Sequence, residues 1–250
     1  MKLNVCKLCN EDKVLKKSHV IPRSVFKNAL KGQPYGKILD RAKGIVVNTQ
    51  DQWAAHMLCG ECEQILSARY EKYSLEALRG NSKSTKLQFK NEYIQIVGVD
   101  QKRIINFVIS ILWRAIESDH EKFRYLKALG INNLITDHFN ECVYKNSLPK
   151  QQSFTVRISK LITAIPEFKN MDLSFITTLS FSVIDGDFIE ILFVMEGYCF
   201  EIFLHTKPNL RKIGLGILNK NKRILKMPYI EAFSIPELRQ SLQEMISASS

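Results

Sequence analysis

Two cysteine pairs carry the clearest chemistry in this sequence: Cys6 and Cys9 form one CxxC unit, and Cys59 and Cys62 form a second. Two thiolates separated by two residues can turn onto one ion, and four of them complete the tetrahedron that zinc prefers in closed structural sites. The competing interpretation of each pair is a redox dithiol. Because two pairs occur, with a helical pattern beginning just after the second, the sequence predicts one structural zinc.

The other two cysteines, Cys142 and Cys199, stand alone in apolar surroundings and are expected to be core thiols. A zinc ion held by four cysteines has no open coordination position. We therefore expect any reaction to occur elsewhere, on the chain between the two pairs.

That chain contains the segment Ser18-His19-Val20-Ile21-Pro22, and the second cysteine pair lies in Leu58-Cys59-Gly60-Glu61-Cys62-Glu63. A histidine at a strand end followed by two apolar residues and a proline, then a loop, then CxxC at a helix start, resembles the HNH endonuclease family. The resemblance covers about the first quarter of the chain. A wider one, to a set of bacterial proteins, adds Ser67–Glu71 and Ser110–Arg114 but brings no firm activity.

The resemblance implies a treble-clef, ββα-metal module in which His19 is the general base and Glu63 binds a catalytic Mg²⁺ or Mn²⁺. It places Ser18 where the family has a metal-binding Asp or His, and Ala54 where it has an asparagine. Asn48 or, as the weaker alternative, His56 is expected to serve instead. Eight helical residues span about 12 Å, so Glu71 is expected to be too far from Glu63 to share one ion. Lys16, Lys17 and Arg23 flank the motif and are candidates to hold phosphates.

The net charge of +11 favours a polyanionic partner such as double-stranded DNA. Residues 1–50 hold 11 basic and 3 acidic residues, and residues 202–230 hold 7 basic and no acidic residues. For the second zone, a nucleic-acid surface and a merely solvated face are equally compatible with the sequence. No secretory signal or membrane span is recognisable, which predicts a cytoplasmic protein with reduced cysteines.

Hydrophobic periodicity predicts an α+β fold with an N-terminal zinc module, a helical middle and a C-terminal antiparallel β meander. The expected domains are residues 1–81 and 82–250. The second comprises helices within 101–145, the meander within 153–230, with hairpin turns at Asp185-Gly186 and Glu196-Gly197, and a C-terminal helix over 234–247. Residues 82–91 are expected to be a polar connector, and Tyr93–Val97 a short strand.

Two functions follow from these observations. One is a metal-dependent HNH-type endonuclease that cleaves or nicks DNA, in the family's context a defence against foreign DNA such as phage. The other is a non-catalytic nucleic-acid-binding or adaptor protein built on the same zinc module, which Ser18 and Ala54 favour. The C-terminal region is expected to mediate target recognition, homo-oligomerisation or contact with a partner protein.

Overall fold

The computed structural model describes residues 3–30, 36–40, 45–49, 51–128, 131, 135–136, 139, 154–164, 172–185, 188–205, 214–236, 238–239 and 242–243. For residues 36–40, 45–49, 181–185, 188 and 205 it describes the backbone only. The fold is α+β, as the sequence predicts. No described helix is long and apolar enough to cross a membrane.

The N-terminal part combines short strand pairs with helices. Its elements are β1 (Asn4–Val5), β2 (Asp12–Lys13), β3 (Leu15–His19), α1 (Arg23–Leu30), β4 (Gly36–Asp40), β5 (Ile45–Thr49), β6 (Ala54–Cys59), α2 (Gly60–Leu66) and α3 (Lys72–Leu78). Strand β3 pairs antiparallel with β6, which leads directly into α2. Strands β4 and β5 pair antiparallel, from Gly36 opposite Thr49 to Asp40 opposite Ile45.

The helix predicted to begin just after the second cysteine pair is present, with an irregularity that the sequence does not indicate. Between α2 and α3, residues Ser67–Glu71 form a π-helical turn. Such turns occur frequently at functional sites. Leu66, Tyr70 and Ala77, which are spaced to form one apolar stripe of a helix, are buried.

Helix α4 (Gln101–Glu117) is the central helix of the fold. Every residue from Ile104 to Ile116 is buried, as expected for a helix that is apolar nearly all round. Its N-cap is Asp100, whose carboxylate accepts a hydrogen bond from the backbone N–H of Arg103. A 3₁₀ turn (Glu121–Phe123) and α5 (Arg124–Ala128) follow, and most of the helical region predicted up to residue 145 lies outside the described residues.

A seven-stranded sheet forms the other half of the fold. Its strands are β7 (Lys86–Phe89), β8 (Tyr93–Val97), β9 (Phe154–Ile162), β10 (Thr178–Asp185), β11 (Phe188–Met195), β12 (Tyr198–His205) and β13 (Ile224–Glu231), in the spatial order β10-β11-β12-β9-β13-β8-β7. The predicted strand Tyr93–Val97 is confirmed.

The prediction of an antiparallel meander is only partly confirmed. Strands β10, β11 and β12 follow one another as predicted, but β13 pairs parallel with β9. The expected polar connector contains β7, because its Leu87 and Phe89 lie opposite Ile96 and Ile94 of β8 and extend the sheet. Period-2 patterning identifies strands but does not say which strands become neighbours.

The predicted turns fall in two groups. Glu196 and Gly197 both have positive φ, 56° and 69°, as the tight turn between β11 and β12 requires. Asp185-Gly186 and most of the helix predicted over 234–247 extend beyond the described residues, but residues 236, 238–239 and 242–243 are helical.

Both faces of the sheet are covered in part. One contiguous apolar core joins the inner face to α4 and to residues of the N-terminal part, including Val20, Leu58 and Leu66. On the opposite face, Leu238 and Leu242 pack against Leu192 and Val194. Residues of both predicted domains, 1–81 and 82–250, therefore belong to one contiguous apolar core.

Candidate active site

The four cysteines of the two CxxC pairs meet at one point. Their Sγ atoms all lie within 4.8 Å of one another, and Cys6, Cys59 and Cys62 are buried. Cys59 ends β6 and Cys62 lies in the first turn of α2, so the β6-to-α2 junction presents both sulfurs on one side. Among the described residues, no other group of three or more His, Cys, Asp or Glu side chains is placed to hold a metal ion.

The environment of the sulfurs fits a zinc site. Burial alone raises the pKa of the Cys6 thiol, but backbone N–H groups of Cys9 and Cys59 directed at its sulfur lower it to about 7. Burial raises the pKa of Cys62 and of Cys9. Zinc binds thiolates and displaces their protons. A closed Cys₄ set that already stabilises one thiolate is therefore consistent with structural zinc.

Beside this cluster lies an open cavity of about 500 Å³. It is bounded by the end of β3, the start of α1, helix α2 with the π turn, and one residue of α4. The lining residues are His19, Pro22, Arg23, Glu63, Gln64, Ser67, Ala68, Glu71, Lys72 and Arg114. The cavity therefore contains both residues to which the resemblance assigns catalysis, His19 and Glu63.

His19 is the last residue of β3 and is half-buried. Burial lowers the pKa of its imidazole, and the charges of Arg23 and Lys17 lower it further. The side chain of Gln52, which hydrogen-bonds the ring, and the charge of Glu63 act in the opposite direction without reversing the shift. The imidazole is therefore neutral near pH 7, which is the state that a general base requires.

The floor of the cavity is an ion-pair network centred on Arg114. Arg114 Nη2 lies 3.3 Å from Glu63 Oε2, and its Nη1 lies 2.5 Å from Glu71 Oε1. The guanidinium side chain is only 2% exposed. A buried arginine requires such partners, because an unpaired charge away from water costs several kcal/mol.

The network leaves specific polar atoms without partners. Among the described residues, Glu63 Oε1 and Arg114 Nε are buried and make no hydrogen bond within the protein. Buried polar atoms are usually satisfied, so unsatisfied ones at a cavity indicate a place where a ligand or ion can bind. Glu63 Oε1 is thus available as a hard oxygen ligand.

Glu71 shares a partner with Glu63, although eight residues separate them. That the two residues do not bind one ion directly stays a prediction. Both carboxylates form ion pairs with the guanidinium of Arg114. The π turn lies between them and ends at Glu71, so it sets the direction in which Glu71 points from the helix.

Ser18 lies apart from this cavity. Its side chain is buried between β3 and β6, where the hydroxyl accepts a hydrogen bond from the N–H of Leu58 and donates one to the carbonyl of Lys16. The hydroxyl is therefore occupied by the backbone of the strand pair, and Ser18 does not line the cavity where a catalytic metal is expected.

The remaining predicted residues divide between the cavity and its surroundings. Arg23 lines the cavity, whereas Lys16 and Lys17 are exposed on β3 and do not. Asn48 lies in β5, paired with Lys37, and its side chain is outside the described residues. Ala54 lies directly opposite His19 in the β3–β6 pair.

Sequence reasoning did not identify Arg114 or Lys72 as site residues. The available signal for Arg114 was an arginine inside a helix that is otherwise apolar, within the Ser110–Arg114 segment already noted. Such a residue needs a buried acidic partner. The identity of that partner could not be derived, because α4 is separated from Glu63 by a strand pair and a connector.

Comparison of this chain with models of known protein families, with curated proteins and with solved structures finds no match.

Proposed function

We propose that this protein is a divalent-metal-dependent endonuclease of the HNH type that nicks or cleaves double-stranded DNA. The observation that carries the proposal is that His19 and Glu63 line the same open cavity. The antiparallel pair β3–β6 followed by α2, with a Cys₄ cluster fit for zinc at the junction, supports a ββα-metal arrangement.

His19 is assigned the role of general base. Its neutral ring accepts a proton from a water molecule, whose oxygen forms a bond to the phosphorus as the bond from phosphorus to the leaving sugar oxygen breaks. Solvent returns a proton to that oxygen. Proton transfer of this kind contributes about 10²–10⁴-fold to a rate.

Arg23 and Lys72 are assigned to the phosphates that flank the scissile bond. Both line the cavity and both are exposed. Their cationic groups can pair with phosphate oxygens without reading the bases. The protein is therefore expected to cleave without strong sequence preference at this site.

Glu63 is assigned to a divalent cation. Mg²⁺ is commonly bound through one or two carboxylates together with substrate phosphates and waters, so a single carboxylate with a free oxygen fits it. When bound, such an ion neutralises the developing charge on the phosphate and the leaving oxygen. Arg114 holds the other oxygen of Glu63 and so fixes the carboxylate's orientation.

The test is nicking of supercoiled plasmid with Mg²⁺ or Mn²⁺. His19→Ala is expected to lower the rate at least about 100-fold, because the base is lost. The control is His56→Ala, which removes an exposed histidine of β6 that does not line the cavity and should leave the rate unchanged. Equal rates for wild type and His19→Ala would remove His19 from the mechanism.

A second function is favoured by two observations. The hydroxyl of Ser18 is engaged by the strand pair, and the carboxylates of Glu63 and Glu71 are already paired with Arg114. These contacts suit a non-catalytic nucleic-acid-binding or adaptor protein. A wild-type protein that binds duplex DNA but does not nick it with either metal would establish this alternative.

A further inference from the structure

Strands β13, β8 and β7 present one common face. The register places Lys86, Val97 and Ile224 in one row across the three strands. Two residues along each strand, and so on the same face, Gln95 lies between Gln88 and Lys226. Directly opposed residues of antiparallel strands lie on the same face of a sheet.

Side-chain contacts agree with this register. The Lys226 ammonium lies 5.1 Å from the centre of the Tyr93 ring, and Gln95 donates to Gln88 over 2.6 Å. The alternate residues Ile94, Ile96 and Leu225 point into the core. The face with the lysines is thus the outer one, and Lys86, Ile224 and Lys226 are exposed.

This outer face and its margins are strongly basic, and we call them the basic sheet face. Its exposed cationic residues are Lys83, Lys86, Lys90, Lys220, Lys222, Arg223 and Lys226. Residues 83–97 and 214–226 contribute one acidic residue, Glu92. No described carboxylate lies within ion-pair distance of any of the seven cationic groups.

The charge arises from two parts of the chain that are far apart in sequence. Lys83, Lys86 and Lys90 come from the segment before α4, and the other four residues come from the second basic zone. Only the pairing of β8 with β13 brings them together. The fold thus concentrates positive charge at one place rather than dispersing it.

We propose that the basic sheet face binds the phosphate backbone of double-stranded DNA. This inference rests on the proposed function and extends it to a second contact surface outside the cavity. Exposed lysines without acidic partners are suited to phosphates, and binding through them releases condensed counterions. The face supplies affinity, and the cavity supplies chemistry.

The two surfaces are separate in the molecule. At the first turn of α4, the Gln101 amide donates to the carbonyl of Ile224 over 2.9 Å, and thirteen residues later Arg114 lines the cavity. That length of helix spans about 20 Å. A distance of about 20 Å corresponds to about six base pairs along a DNA duplex. Substitutions on one surface therefore leave the other intact.

The experiment measures binding of a fluorescent 30-base-pair DNA duplex, by anisotropy, without divalent metal, from 50 to 300 mM salt. The test variant is Lys86→Gln with Lys226→Gln. The control is Arg124→Gln with Lys127→Gln, which removes the same charge from exposed residues of the 3₁₀–α5 segment. Folding of each variant is verified by its thermal transition.

Each lost phosphate contact lowers the slope of log K against log salt by about 0.9. The test variant is expected to lose about 2 in slope and on the order of tenfold or more in affinity at 100 mM salt, whereas the control keeps the wild-type slope. A wild-type protein that does not nick plasmid, but whose test and control variants differ in salt slope as expected, contradicts the proposed nuclease activity. The proposal for the basic sheet face would still stand.

Three results would overturn the inference: no binding of duplex by the wild type, equal slopes for wild type and test variant, or equal losses in test and control variants. Equal slopes with intact binding would leave Lys86 the role of protecting the exposed edge strand β7 from pairing with other chains. If the test variant binds a 30-nucleotide single-stranded RNA more weakly than wild type does, but binds duplex DNA equally well, the surface is an RNA-binding one.

Discussion

The N-terminal module, residues 1–81, and the seven-stranded sheet are stabilised in different ways. The module relies on a Cys₄ cluster and on ion pairs supplied from outside it, such as Arg114 with Glu63 and Glu71. The sheet relies on apolar packing, as in the stacked rings of Phe193 and Phe200, whose centres are 4.8 Å apart. The proposed site lies in the module, where charged side chains line an open cavity.

The Glu196 side chain shows how closely the two regions are joined. It lies in the β11–β12 turn, is 4% exposed, and accepts hydrogen bonds from Asn28 of α1 and from Arg79 at the end of α3. The Tyr198 hydroxyl donates to the carbonyl of Leu78 over 2.8 Å. The sheet therefore positions the helices that border the cavity.

The largest expected effect separates the two regions by their cysteines. Cys59→Ser should abolish stoichiometric zinc and unfold the module, because structural zinc contributes about 10–16 kcal/mol in small zinc-held folds. Cys199→Ser, at a fully buried thiol of β12, should retain zinc and lower only the stability of the sheet. Metal content by mass spectrometry, with limited proteolysis of residues 1–81, measures both outcomes.

The expected difference between the two variants is contradicted if Cys59→Ser keeps one equivalent of zinc, or if Cys199→Ser loses its zinc. In the first case the four sulfurs would not be a common binding site. In the second, the module would depend on the sheet for its metal as well as for its ion pairs.

The second prediction concerns the arginine that connects the regions. Arg114→Met leaves the carboxylates of Glu63 and Glu71 facing each other without a cation, and should lower the free energy of unfolding by about 3–5 kcal/mol. Adding Glu71→Gln should restore part of that loss, since one carboxylate is removed. Urea unfolding of the wild type and of both variants provides the measurement.

Arg114→Lys tests whether Arg114 positions Glu63 as well as stabilising the fold. It keeps the charge but lacks the fork that reaches two carboxylates. We expect kcat for plasmid nicking to fall and KM for DNA to change little. Stability and kcat both at wild-type levels in Arg114→Lys would show that the fork has no role.

The sequence predicted the parts of the fold that are local. Spacing or periodicity predicts the paired cysteines, a helix after Cys62, the buried helix α4 and the strand Tyr93–Val97. The Arg114 network and the strand order could not be predicted, because both depend on contacts between segments separated by 43 or more residues. The π turn also escaped prediction, since its apolar stripe is the same as that of a regular helix.

The smallest effect concerns pH. Because the pKa of His19 is lowered, its neutral form predominates from a lower pH than for a free imidazole. The midpoint of the acid limb of the nicking rate should therefore lie below the pKa of a free imidazole, about 6.5. Arg23→Gln removes a charge that lowers this pKa, so the acid limb should move to higher pH.

Rates at saturating metal across pH 5–8.5 measure this. An acid limb above pH 6.5 in the wild type, or one that moves to lower pH in Arg23→Gln, contradicts the assignment of His19 as the base. A wild-type limb that does not respond to Arg23→Gln would indicate that another group controls it.

The π turn between α2 and α3 has a consequence for how such a site can arise. A π turn holds one residue more than a regular turn, so the helical turns before and after it can keep their directions. Deleting one codon between Ser67 and Glu71 would then leave a regular helix and change chiefly the side chains that the turn itself presents. Glu71 is one of these, so its ion pair with Arg114 is the contact that one codon can add or remove.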